Sequence, residues 1–150
     1  MLCGVSIDFQ KHLEIYLEMK KTIKILASLL FVVLVFAYLN FFSSIVFPWQ
    51  KTEAIKTTLN WGGLAELPKE TENLSVEKSG SMFTRTFTVE FNADQKEIEN
   101  WIQNSKRLKN NTPKASGKNK IYEIYPGEKE SLGGKVTIEN DKVIIRMSWS

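Results

Sequence analysis

The sequence predicts an α+β protein: one N-terminal transmembrane helix, then a small domain with an antiparallel sheet of about five strands and a helix packed on one face. Three observations carry this prediction. Residues 25–47, opening at Ile25 and closing at Phe47, contain no charged side chain. Residues 82–91 and 136–149 alternate apolar and polar side chains with the period of two that marks half-buried strands. Between them, residues 94–107 change to the period of an amphipathic helix. A chain of 150 residues with one such apolar run has room for one ordinary globular domain.

The apolar run comes first. As a helix it reaches about 34 Å, slightly more than the roughly 30 Å hydrocarbon core of a bilayer. Residues 1–24 precede it as a cytoplasmic N-terminal segment in which Phe9, Leu13, Tyr16 and Leu17 suit a weak amphipathic helix. A second reading competes, because Met19 followed by Lys20, Lys21, Thr22, Ile23 and Lys24 has the form of the basic start of a bacterial export signal, with Met19 instead of Met1 as the true start. Lys11, Lys20, Lys21 and Lys24 lie before the run and Lys51 and Lys56 just after it. That bias puts the N-terminus inside the cytoplasmic membrane and the C-terminal domain outside, with Pro48 and Trp49 at the headgroup layer. Two fates compete for the run. Val35-Phe36-Ala37 loosely fits a signal-cleavage site, which would give a secreted or periplasmic domain. Leu39, Phe41, Phe42, Ile45, Val46 and Phe47 extend the apolar run beyond it, which favours an uncleaved signal anchor.

Residues 48–72 read as a stalk helix and linker: Ala54, Ile55 and Leu59 fit a short helix, Gly62-Gly63 ends it, and Leu67-Pro68 marks the crossing that follows. Residues 73–150 form the extracytoplasmic α+β domain. Leu74, Val76 and Lys78 begin a strand, Ser79-Gly80-Ser81 turns the chain, and residues 82–91 return with Phe83, Phe87, Val89 and Phe91 on one face. Arg85 falls in the apolar phase of that strand. It either snorkels outward or meets an acid near the sheet end, or it binds an anion in a partly buried pocket. Asp94 and Glu97 have capping-box spacing, and Ile98, Trp101, Ile102 and Ser105 form the helical stripe that should lie on the sheet. Residues 121–125 are a further strand before a Pro126-Gly127 turn. Asn140-Asp141 then suits a two-residue hairpin, in which Ile138 faces Val143, Val136 faces Ile145 and Gly134 faces Met147.

Composition excludes more chemistry than it suggests. The net charge of +3 does not make the concentrated basic face of a nucleic-acid binder. The only cysteine, Cys3, and the only histidine, His12, precede the apolar run, so the domain has no Cys/His zinc site, no internal disulfide and no histidine base. No phosphate-loop glycine pattern occurs, and no cofactor is expected. Lys78 beside Ser79 and Ser81 spells a Ser/Lys nucleophile pair, but a polar hairpin turn predicts the same letters. Glu90 and Glu123 would serve as paired acids only if the fold set them roughly 5–10 Å apart. Residues 106–120 concentrate Lys106, Arg107, Lys109, Lys114, Lys118 and Lys120 with no acid among turn-forming residues. That segment is either a solvated connector or, together with Arg85, a contact for anionic lipid headgroups, other surface polyanions or a protein partner.

Trp61-Gly62-Gly63-Leu64, Gly80-Ser81-Met82-Phe83-Thr84-Arg85 and the closing Trp149-Ser150 give residues 60–150 a further character. This part resembles small uncharacterised bacterial proteins that are exported or anchored at the membrane. The resemblance implies an extracytoplasmic domain and carries no activity with it. The expected function is a single-pass anchored binding or structural domain of unknown ligand, non-catalytic, with the bilayer itself as partner through residues 25–47. A pilin-like subunit is the alternative by architecture, although the Gly-Phe processing junction and the acidic residue inside the apolar helix are both missing. An exported enzyme with a carboxylate or Arg-based site comes third.

Overall fold

The computed structural model of the chain describes residues 3–81 and 83–150. The chain divides into two compact units, the first ending at Asn40 and the second running Phe41–Ser150. The first is built from α1 (Cys3–Phe42), a single 40-residue helix. It begins well upstream of the apolar run, so Tyr16, Leu17 and the lysines before Ile25 are helical as well. Within it, Glu14–Asn40 is a 27-residue stretch long and apolar enough to cross a membrane, and none of its most apolar window is buried. The helix stops at Phe42, five residues short of the expected end at Phe47. Pro48 explains part of this: the residue before a proline is pushed out of the helical region, and Phe47 is extended with φ −67° and ψ 150°.

The second unit, the head, has the element order α2 (Pro48–Gly62), β1 (Glu72–Gly80), β2 (Arg85–Asn92), α3 (Gln95–Asn104), β3 (Lys114–Ser116), β4 (Asn119–Ile124), β5 (Gly133–Glu139) and β6 (Lys142–Trp149). The α+β class expected from the sequence is present, with six antiparallel strands where about five were expected. The additional strand, β3, is three exposed residues inside the basic segment. It has no inward-facing side chain and so leaves no alternation in the sequence.

The strands are ordered β1-β2-β6-β5-β4-β3, which departs from their order along the chain. The last strand in sequence lies in the middle of the sheet. Val143, Ile145 and Met147 of β6 are fully buried, and central position gives such a strand neighbours on both sides. The polar β1 and β3 take the edges. The β5–β6 hairpin turns at Asn140, whose φ is 55°, and its register pairs Ile138 with Val143, Val136 with Ile145 and Gly134 with Met147, as the sequence predicts.

Helix α2 differs from its stalk reading. It packs against β2, β5 and β6. Ala54, Thr58 and Leu59 are buried, and Trp61 stacks on Phe87 at 5.6 Å between ring centroids. The buried Thr58 hydroxyl donates to the Ala54 carbonyl, so it is not left unpaired in the interface. Pro48 occupies the first turn, where its missing N–H costs nothing. Gly63 ends the helix in the left-handed conformation, φ 57°, and the Leu64 N–H closes the cap on the Leu59 carbonyl at 2.9 Å. Asp94 caps α3 through the Glu97 N–H at 2.8 Å. Trp101 of α3 meets Phe91 edge-on at 5.8 Å and donates its indole N–H to the Ala65 carbonyl. Ile98 and Trp101 join Val89, Phe91, Ile124, Val136, Val143, Ile145 and Met147 in one core.

Candidate anion-binding cleft

The β1–β2 hairpin positions the site. Lys78 pairs with Phe87 and Gly80 with Arg85, the last pair before the chain reverses between β1 and β2. Phe83 and Thr84, expected at the start of the strand, lie ahead of it, because β2 begins only at Arg85; Met82, where the strand was expected to begin, lies outside the described residues. Phe83 leaves the apolar face to which its phase assigned it and is 80% exposed. Ser81 holds the turn, its N–H donating to the Thr84 carbonyl at 2.8 Å and its hydroxyl accepting from the Phe83 N–H at 3.2 Å.

Side chains on a strand alternate, and directly paired residues share a face. Arg85, Phe87, Val89 and Phe91 therefore lie on the face that Lys78 and Val76 share across the pair. Moving toward the turn, this face changes from the buried Val89 and Phe87 to two cations, Lys78 and Arg85, as diagonal neighbours. Arg85 also pairs with Trp149 of β6. The irregular phase of Arg85 is thus explained by position: it is the first residue of β2, exposed, where the core has ended.

The segment just after α1 completes the cleft. The Lys78 N–H donates to the Ser44 carbonyl at 3.4 Å, which ties residues 43–47 to the edge strand β1. Ser43, Ser44, Ser79 and Ser81 line an open cleft of about 250 Å³ together with Lys78 and Arg85. Among the described residues no carboxylate lines it. Among the described residues Arg85 forms no ion pair. Burial, and then the nearby Arg85 guanidinium, lower the pKa of the Lys78 ammonium. Chemically the cleft offers positive charge and hydroxyl donors. Sequence reasoning singled out Arg85 and missed its partners, although a four-residue turn after Gly80 would have put Lys78 beside it.

The basic segment does not gather into one patch. Lys106 and Arg107 both meet the Glu128 carboxylate, at 3.3 and 3.4 Å, and Arg107 also donates to the Pro126 carbonyl at 2.8 Å. Lys114 pairs with Glu123 at 2.6 Å. Lys109 is exposed, one residue from the buried Leu108 that pins this segment to the core. Lys118 and Lys120 line a second cleft of about 320 Å³, but Asp141 lines it too and offsets their charge.

The carboxylates are also accounted for. Glu90 on β2 binds Lys142 at 2.8 Å, a hydrogen bond that raises the lysine pKa. Glu123 sits on β4, three strand spacings away, or about 14 Å across the sheet, too far for a glycosidase pair. Among the described residues no group of three His, Cys, Asp or Glu is arranged to hold a metal ion. The chain matches no protein-family model and has no significant match among curated proteins or solved structures.

Proposed function

We propose that the chain is a single-pass membrane protein whose α1 anchors a small, non-catalytic binding or structural domain outside the cytoplasmic membrane. The observation that carries this reading is the stretch Glu14–Asn40, long and apolar enough to span, with its side chains exposed. Leu26, Leu30, Phe31, Val33 and Leu34 are each more than half exposed, a distribution that suits lipid as their solvent. Lys20, Lys21 and Lys24 before the most apolar part support an N-terminus inside. A head without histidine or cysteine, whose two clefts lined by lysines are open to solvent, supports binding over catalysis.

Cysteine labelling tests the topology directly, because Cys3 supplies an internal reference. In spheroplasts of a bacterial host expressing the Lys109→Cys chain, a membrane-impermeant maleimide should label position 109 at once and Cys3 only after lysis. The opposite pattern overturns the orientation. A shortened chain in the soluble fraction, cut after Ala37, would replace the anchor by a cleaved signal.

A further inference from the structure

We infer that the cleft between Lys78 and Arg85 holds the phosphate of an anionic phospholipid headgroup, an inference that rests on the membrane anchoring proposed above. Three independent features of the structure converge on it.

The first is the chemistry of the lining. Two cations and four serines line one volume, and among the described residues no carboxylate lines it. An Arg guanidinium presents paired N–H donors in the geometry of phosphate oxygens, while Lys adds a mobile point charge. Arg85 forms no ion pair among the described residues, whereas Lys106, Arg107, Lys114 and Lys142 are held by Glu128, Glu123 or Glu90, and Lys118 and Lys120 share their cleft with Asp141. At about 250 Å³ and open to solvent, the cleft is smaller than the roughly 300–1,000 Å³ pockets that enclose a drug-sized ligand. It suits a headgroup that enters by one end.

Chain connectivity supplies the second feature. Ser43 is the residue immediately after the end of α1 at Phe42, and the Ser44 carbonyl is bonded to the Lys78 N–H. An α1 that spans the bilayer thus delivers one wall of the cleft to the headgroup layer with no intervening linker. A site for free phosphate would have no need of this proximity.

The third feature is the hairpin turn itself. Phe83 stands 80% exposed two residues before Arg85, on a head whose Phe87 and Phe91 are buried. Ile45 and Trp49, close to Ser43 and Ser44 in the chain, are exposed as well, with Trp49 stacked flat on Phe47 at 4.7 Å. Aromatic side chains beside basic ones are the composition of a membrane–water interface. Burial and, after it, repulsion by Arg85 lower the pKa of the Lys78 ammonium, and a bound anion would relieve the second of these.

The test uses the full chain in micelles of an uncharged detergent, which solvate α1 whether or not it spans a membrane in the cell. Short-chain phosphatidylglycerol, short-chain phosphatidylcholine and inorganic phosphate are titrated separately while backbone amide signals are followed by NMR. Saturable shifts at residues 78–86 with phosphatidylglycerol, and none with phosphatidylcholine, are expected. Arg85→Gln should weaken the apparent Kd about fivefold and the double variant Lys78→Gln, Arg85→Gln about 25-fold, as for one and two basic residues at an anionic surface. Arg85→Lys keeps the charge and should retain most of the affinity, and Lys135→Gln, on another strand, should leave it unchanged. Equal or tighter binding of inorganic phosphate overturns the lipid assignment in favour of a free-anion site. No saturable shift with either ligand, or equal loss on Lys135→Gln, overturns the site altogether. Because the titration does not depend on membrane insertion, a released, cleaved chain that still binds phosphatidylglycerol would sink the anchoring and leave the cleft standing.

Discussion

Phe91 contributes to the head at the point where sheet and helix meet: it is fully buried, with Trp101 of α3 against its edge. Truncation to alanine would remove an aromatic ring from a site that Val89, Val143 and Trp101 surround, too rigid to collapse fully. Phe91→Ala should cost about 3–5 kcal/mol, read as a lower urea midpoint in the full chain. Glu128 presents a different case, since its side chain is on the surface but joins two parts of the chain. Its N–H binds the Trp61 carbonyl at 2.7 Å, while its carboxylate holds Lys106 and Arg107. The hydrogen bond from Lys106, then its charge, with Arg107 adding to both and burial opposing, lower the Glu128 pKa. A depressed folded-state pKa gives stability that is present above the unfolded carboxylate range and is lost as pH falls through the folded value. Wild type should therefore lose more Tm than Glu128→Gln between neutral pH and about pH 3, the gap between them closing in acid. The effect is small, because water screens both partners. Equal acid losses in the two chains would show that the ion pairs contribute nothing.

At the scale of elements, pattern and turn chemistry made the C-terminal hairpin legible, down to its register, because one face had to carry Val136, Ile138, Val143, Ile145 and Met147 inward and Asn140 accepts positive φ. Helix α3 was legible for the same reason, with Asp94 as its cap. Three features were not. Leu59 and Ala54 are too few to distinguish a stalk from a helix seated on a sheet, since what buries them is a surface assembled from β2, β5 and β6. The central place of β6 depends on long-range pairing, which no local period encodes. The cleft needed the same knowledge: Arg85 was visible as a break in phase, whereas Lys78 and Ser44 become its neighbours only once the hairpin and the segment after α1 are in place. Gly134 shows how tightly the β5–β6 pairing is drawn. A methyl group there would meet the backbone carbonyl oxygen of Arg146, which cannot move without breaking β6 from its neighbours. Gly134→Ala should destabilise the head by about 1–3 kcal/mol or more. Hydrogen exchange should speed up first along β5 and β6, a pattern that distinguishes a local backbone clash from general loosening.

Over the whole molecule, the two units make opposite use of apolar side chains. The head encloses Phe91, Ile145 and Met147, whereas α1 exposes Leu30, Phe31 and Val33. A sequence tolerates the second arrangement when something other than water surrounds it, so the anchoring reading makes a prediction about charge that a head-based attachment does not. One arginine near the middle of the apolar stretch can snorkel or draw in water, so a single substitution is a weak test. Two on successive turns, Leu30→Arg with Val33→Arg, set two charges about 4.5 Å apart along the middle of the stretch, both of which must be accommodated at once. At about 2.5–3.5 kcal/mol each near the bilayer centre, the pair should move most of the chain from the carbonate-resistant membrane fraction to the soluble one. The head should keep its fold, because Phe41–Ser150 forms a compact unit with its own core. Unchanged exchange protection along β2, β5 and β6 would verify that. A double variant that stays in the membrane fraction would assign attachment to the head, and adding Lys78→Gln and Arg85→Gln would then determine whether the cleft alone holds it there.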